Sequence, residues 1–245
     1  MKYATVAIST CPPDLEPIFI IDINNLAQDR EGRPKVEIGY VDKWIKWMES
    51  QGVKVVNHRL SFAQTIIDHH TPARIDIALG AFLRCDIPIV CEQLGIKDQY
   101  VFYSDTDVIF INPNVDYINQ LKPEFVAASV EFNPNDWSYF NSGVMVINTS
   151  GLKSLIPDII SKIPTHGRPT EDQSVLNAVI GNRWLYMLVE YNWKAYWTRN
   201  HNETLIHFHG PKPFTPANHW PSLKYGAWDY WNNVFHEKYK HIGII

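Results

Sequence analysis

The chain has 245 residues, 45% of them hydrophobic, and a formal net charge of −4. A chain of this size buries most of its unfolded surface in one core, so a single domain over 1–245 is expected. The slight acidity and the absence of any Lys/Arg run that could follow a phosphate backbone exclude nucleic acid as the expected partner. Three cysteines, Cys11, Cys85 and Cys91, form an odd set without metal-ligand spacing, which points to free thiols and a reducing compartment. No apolar run approaches the roughly 20 residues a membrane span needs, and Lys2 to Ser9 has no signal-length core, so a cytoplasmic protein is expected.

Strand-like and helix-like stretches alternate along the chain, the pattern of a sheet covered by helices. The run Tyr3 to Ser9 is predicted as a buried strand, closed by turn residues from Thr10 to Asp14. A second apolar run, Pro17 to Ile23, passes into a polar loop from Asn24 to Lys35. Between Tyr40 and Ser50, Val41, Trp44, Ile45, Trp47 and Met48 recur at helical spacing, and Gly52 stands where a helix cap would be. Val53 to Val56 follows as a strand. The segment Arg74 to Leu94 has helical periodicity interrupted at Pro88, so two pieces or a kink are expected. Short buried strands are predicted at Tyr100 to Tyr103, Phe125 to Val130, Val144 to Ile147, Trp184 to Val189 and Leu205 to Phe208. Helices are predicted at Leu152 to Ile163 and Ser174 to Ile180, and a Trp/Tyr-rich tail ends the chain.

The chemistry-bearing segments lie at the ends of these strands. Val101 to Phe110 sets Asp105 and Asp107 one residue apart, directly after an apolar strand and flanked by Ser104 and Thr106. Like charges held close at the end of a buried strand are costly, and a hard divalent cation with oxygen ligands is the usual remedy. With 15 Asp in the chain, about one Asp-x-Asp arises by chance, so the strand context carries the signal, and solvated turn carboxylates are the plain alternative. In Ile206 to Phe214, a neutral imidazole from His207 or His209 is a metal donor, Gly210 allows close backbone approach, and Lys212 is a point charge suited to phosphate. The two histidines are expected to face apart, so that at most one reaches a given ligand. Asn141, Ser142 and Gly143 precede a buried strand, where they can reach sugar hydroxyls or merely form a turn. Thr170 to Gln173 matches a capping box, which accounts for Gln173 structurally and leaves Asp172 open between helix electrostatics and function.

Taken in order, Asp-x-Asp after a strand, Phe-Asn-Ser-Gly before a strand, Asp-Gln before a helix and His-x-x-Gly near the end resemble glycosyltransferase family 8. This is the family of glycogenins and bacterial lipopolysaccharide galactosyl- and glucosyltransferases, and the resemblance runs from about Gly80 to Phe214. It implies an α/β, single-domain A-type glycosyltransferase fold, a Rossmann-like mixed sheet flanked by helices, with about 1–112 as nucleotide-sugar donor half and about 113–245 as acceptor half. It implies a retaining hexosyltransferase that uses a nucleotide-sugar donor, usually UDP-linked, and a carbohydrate or glycoconjugate acceptor. The ion implied is Mn²⁺, with Mg²⁺ as the second choice, held by Asp105, Asp107 and His207, the histidine three residues before Gly210. Arg84 matches the family's helix arginine near the donor, and Asn141 the residue contacting the donor sugar. Asp172 and Gln173 match the pair flanking the reacting centre, and the end of the first strand, including Thr10 and Cys11, would lie by the nucleotide base. Lys212 comes five residues after His207, one fewer than in the family.

Other classes share part of the pattern. An inverting A-type transferase has the same Asp pair. The segment Asp105 to Val108 also looks like the nucleophile loop of haloacid-dehalogenase-type phosphatases, although such a loop normally opens its domain. A sugar-binding module would use the rings of Trp193, Trp197, Trp220, Trp228 and Trp231 for stacking, where a core role is the alternative.

Overall fold

The structure, a computed structural model, describes residues 2–23, 38–71, 75–112, 114–166, 171–197 and 201–209. Its spine is the strand Phe140–Asn148, every residue of which is buried. The run Val144 to Ile147 has no polar alternation because both faces are covered. In chain order the strands are β1 (Ile18–Ile21), β2 (Lys54–Asn57), β3 (Tyr100–Ser104), β4 (Val108–Phe110), β5 (Val126–Val130), β6 (Phe140–Asn148), β7 (Leu185–Tyr186), β8 (Trp193–Lys194) and β9 (Leu205–His207). They form a four-stranded sheet ordered β3-β6-β5-β7, a three-stranded sheet ordered β4-β9-β8 and the pair β1-β2. Strand β6 runs antiparallel to both β3 and β5, whereas β7 is parallel to β5 and β8 to β9.

The chain leaves the larger sheet at Ser104 and enters the smaller one at Val108, so residues 105–107 bridge the two. Backbone bonds hold the bridge on both sides: Asp105 N–H donates to Gly143 O, and Phe208 N–H donates to Asp107 O at 2.8 Å. Helices Ile75–Phe82, Ile156–His166 and Glu171–Ile180 supply Leu79, Phe82, Ile159, Ile163, Val175 and Leu176 to the apolar core that also takes Met145 and Ile147 of β6.

Several expectations hold. A helix runs over Ile38–Ser50, and Gly52 follows it at φ 80°, a left-handed conformation that only glycine adopts without strain. The segment ending at Leu94 divides into Ile75–Phe82, a 3₁₀ turn at Leu83–Asp86 and a helix at Ile87–Gln93. Pro88 lies in the first turn of the last piece, where its missing N–H has no helical partner to lose.

Others need correction. Tyr3 to Ser9 is not a strand but part of a helix, Lys2–Thr10. A short continuous apolar run has no alternation to separate strand from buried helix, and here it packs as a helix against β4. Thr10 Oγ1 donates to Val6 O at 2.9 Å and accepts the Phe110 N–H at 3.2 Å, so a side chain occupies the β4 edge. Leu152 to Ile163 spans two helices, Thr149–Ser154 and Ile156–His166, and the strand foreseen over Trp184 to Val189 shrinks to Leu185–Tyr186 before a 3₁₀ turn at Val189–Asn192. Trp193 and Trp197 are buried, packed edge to face, and belong to the core. The polar loop from Asn24 to Lys35, Thr170, Gly210, Lys212, Trp220, Trp228 and Trp231 lie outside the described residues. Among the described residues, no helix is long and apolar enough to cross a membrane.

Candidate active site

The bridge between the sheets explains why Asp105 and Asp107 meet His207. Val108 pairs with His207 across the antiparallel β4-β9 ladder, so the last residue of β9 arrives beside the turn carrying both carboxylates. One ligand atom from each of the three residues lies within 4.8 Å of the others. His207 Nε2 is 3.4 Å from Asp107 Oδ1 and 3.8 Å from Asp105 Oδ2. Two carboxylate oxygens and one imidazole nitrogen at this spacing fit a divalent cation. Burial pushes the His207 pKa down despite the pull of Asp107, which keeps the ring neutral and a lone pair available. Gly143 makes room for it: a Cβ there would fall on the His207 ring and lie 2.8 Å from Asp105 Oδ2.

On the other side of Asp105 stands Arg84, carried by the 3₁₀ turn Leu83–Asp86. Its guanidinium reaches Asp105 Oδ1 at 2.9 Å and Asp172 Oδ2 at 3.1 Å, and its Nη1 donates to Ser142 O at 2.6 Å and Ser142 Oγ at 2.9 Å. Burial works against the charge on Arg84, but Asp105 and Asp172 outweigh it and hold the pKa above its ordinary value. Asp172 follows the opposite balance. Burial, helped by Asp105, raises its pKa to about 6 although Arg84 and the Ser142 hydroxyl favour the anion. Tyr103 donates its hydroxyl to Asp105 Oδ1 and lies under the Arg84 guanidinium.

Gln173 does not turn its side chain back along its own helix. Its Oε1 accepts from Ser142 N–H at 2.9 Å and from Asn141 Nδ2 at 3.1 Å, so the acceptor that a capping box would use is engaged with β6 instead. Asn141, Ser142, Gly143, Asp172, Gln173, Arg84 and the Asp-Asp-His group thus form one contiguous cluster. Ser104 is half-buried at the end of β3, and Thr106 is exposed between the two aspartates. Thr10 and Cys11 lie apart, at the far end of β4, where they line an open cavity of about 640 Å³ with Asn112, Asn114 and Asp116. The three-residue length of β4 puts them roughly 10 Å from Asp107 along the strand.

The expectation that His207 and His209 face apart is corrected. Their ring centroids are 5.4 Å apart, because residues two positions along an extended chain share a face. His209 Nε2 pairs with Glu131 at 2.6 Å, while His207 belongs to the aspartates.

Sequence reasoning missed Glu131, Asn192 and Lys194, all buried beside this cluster. Burial alone would raise the Glu131 pKa, but the His209 hydrogen bond and charge, Lys194 and Asn141 together hold it down at about 2. Lys194 is fully buried, donates to Asn192 O at 3.2 Å, and has its pKa lowered to about 7 by burial against the opposing pull of Glu131, Asp105 and Asp107. The signal for Glu131 was present: like Asp105, it stands directly after an apolar strand, Val126–Val130.

No protein-family model matches the sequence, and no curated protein matches it. Solved structures do. The apo-form glycosyltransferase GlyE of Streptococcus pneumoniae TIGR4 superposes with TM-score 0.61 at 15% identity, covering 98% of this chain and 60% of that one. The galactosyltransferase LgtC, solved with donor and acceptor sugar analogues, gives TM-score 0.58 at 15% identity over 94% of this chain and 95% of its own. The apo form of mouse xyloside xylosyltransferase 1 gives 0.56 at 13% identity over 85% and 91%. The chain therefore spans 60% of the length of GlyE and nearly all of LgtC, and its fold is that of the A-type glycosyltransferases.

Proposed function

We propose that this chain is a metal-dependent retaining glycosyltransferase of the family 8 kind, moving a hexose from a UDP-class nucleotide sugar to a glycan, lipid-linked or protein acceptor. The observation that carries the reading is the convergence of the Asp105, Asp107 and His207 ligand atoms, within 4.8 Å of one another, beside the buried Arg84–Asp172 pair. Asp105, Asp107 and His207 would hold Mn²⁺, or Mg²⁺ in its place. When bound, such a cation supplies Lewis-acid stabilisation to the departing diphosphate.

The remaining roles follow from the chemistry of the side chains. Arg84 offers a fixed positive charge where the donor arrives, and Asn141, Ser142 and the Gly143 backbone offer hydrogen-bonding groups to the donor sugar. Asp172 presents a carboxylate in a dry site, where it can stabilise positive charge building at the anomeric carbon, and Gln173 lines the face from which the acceptor approaches. Ser104 and Thr106 flank the ion, Thr10 and Cys11 are assigned to the nucleotide base, and Gly210 and Lys212 to the diphosphate. The donor half, about 1–112, then supplies both aspartates, and the acceptor half, about 113–245, supplies His207 and the reacting pair.

Titration calorimetry with UDP, GDP and CDP, each with Mn²⁺ and with EDTA, tests this reading. UDP is expected to bind only with Mn²⁺, and Asp107→Asn to abolish that dependence while the fold persists. Equal UDP affinity in EDTA and in Mn²⁺ removes the proposal.

A further inference from the structure

An imidazole that serves a cation must present the correct nitrogen, and the ring by itself does not decide which. His207 Nδ1 lies 2.8 Å from Asn192 Oδ1, while its Nε2 faces Asp107 at 3.4 Å and Asp105 at 3.8 Å. The orientation of the Asn192 amide can be traced to a group whose donor character is fixed. Gly143 N–H donates to Asn141 Oδ1 at 3.0 Å, which turns the Asn141 Nδ2 towards Glu131 Oε2 at 2.6 Å and Gln173 Oε1 at 3.1 Å. Reversing that amide would set nitrogen against the Gly143 N–H and oxygen against a carboxylate that His209 already anchors at 2.6 Å. Asn192 Nδ2 donates to the same Asn141 oxygen at 2.8 Å, so the oxygen of Asn192 must face His207. An amide oxygen only accepts, hence His207 Nδ1 carries the hydrogen, and in the neutral ring Nε2 then keeps its lone pair.

We infer that Asn192 is a positioning residue of the metal site: acting through Asn141, it transmits the donor direction of the Gly143 backbone to His207 and locks the imidazole in the tautomer whose Nε2 faces Asp105 and Asp107. Its role towards a cation rests on the metal site proposed above; its hold on the tautomer does not. Asn192 is fully buried, and Lys194 Nζ pins its backbone carbonyl at 3.2 Å, so the amide has no solvent alternative. Partners of this kind fix ring orientation and raise ligand basicity in metal sites generally.

Two measurements test the inference. Long-range ¹H–¹⁵N correlation spectra of the metal-free protein report which nitrogen of His207 is protonated. The Nδ1–H form is expected in the native chain, and a mixture of forms in Asn192→Leu. Mn²⁺ titration followed by electron paramagnetic resonance should show binding weakened about 10–100-fold in Asn192→Leu. An Nε2–H form in the native chain overturns the inference, as does a folded Asn192→Leu that binds Mn²⁺ as tightly as the native chain. The native spectrum needs no variant, so the inference stays open to refutation even if Asn192→Leu fails to fold. A native chain that shows the Nδ1–H form but binds no Mn²⁺ upholds the lock and removes the metal site instead.

Discussion

Arg84 sets its Nε 3.1 Å from the Asp172 carboxylate with both side chains buried, yet Asp172 still has its pKa raised to about 6. One guanidinium is shared between two carboxylates, since Arg84 also reaches Asp105 at 2.9 Å. Its attraction does not offset the loss of water around Asp172 and the repulsion from Asp105. The site therefore holds an acid near its titration point, where it can exist as anion at neutral pH without being firmly fixed as one.

The pH dependence follows with a definite sign. A carboxyl group whose pKa rises from 3.8 unfolded to about 6 folded contributes stability below pH 4 that is lost as pH rises through about 6. Asp172→Asn removes this titration and leaves Arg84 paired with Asp105. Urea unfolding should find the variant more stable than the native chain at pH 7.5, by at most about 3 kcal/mol, and no more stable at pH 4. Its kcat should fall sharply, and native kcat should decline as pH drops below about 6. A variant with the same relative stability at both pH values would contradict the assignment.

Gly143→Ala is expected to damage ion binding more than folding. The new methyl group would meet the edge of the His207 ring, which β9 holds in place, and the Asp105 carboxylate at 2.8 Å, so the two ligands must separate. Mn²⁺ affinity should fall by about 10-fold or more, the range seen when support around metal ligands is lost. Circular dichroism should show secondary structure unchanged, while calorimetry reads the affinity.

The neighbouring histidines should separate by substitution. His207→Ala deletes a member of the Asp-Asp-His group and is expected to abolish activity and weaken Mn²⁺ binding. His209→Ala instead frees Glu131, whose pKa is held at about 2 in part by that histidine. Since a depressed carboxyl pKa contributes stability above its unfolded value of about 4.5 and loses it as pH falls towards 2, His209→Ala should lower the melting temperature more at pH 7 than near pH 2. Larger activity loss in His209→Ala than in His207→Ala, measured at saturating Mn²⁺, would reverse the assignment.

Retention of configuration is the outcome expected at the anomeric carbon, with Asp172 and Gln173 beside it. NMR of the first-formed product, before mutarotation, reads this directly: an α-linked donor should yield an α-linked product. Gln173→Ala should lower kcat and also cost about 1–3 kcal/mol of stability, because its Oε1 satisfies the buried Ser142 N–H and Asn141 Nδ2. A β-linked product would eliminate the retaining mechanism.

The pair Asp105 and Asp107 was legible in the sequence because it closes an apolar strand, and the helix at 38–50 and the break before Pro88 were legible because periodicity and proline act within one or two turns. The run Tyr3 to Ser9 was misread for the converse reason: a short run of apolar residues carries no period, and its packing against β4 decided for a helix. Glu131 shared with Asp105 a place directly after an apolar strand, but Asn192 and Lys194 had no pattern of their own. Asn192 matters because Asn141, 51 residues away, and His207, 15 residues away, meet it at 2.8 Å each. Nearest-neighbour chemistry sets where strands end and which acids stand there. Whether a buried amide locks a ligand, or a buried lysine is tolerated, depends on partners distant in sequence, and only the folded chain brings those into hydrogen-bonding range.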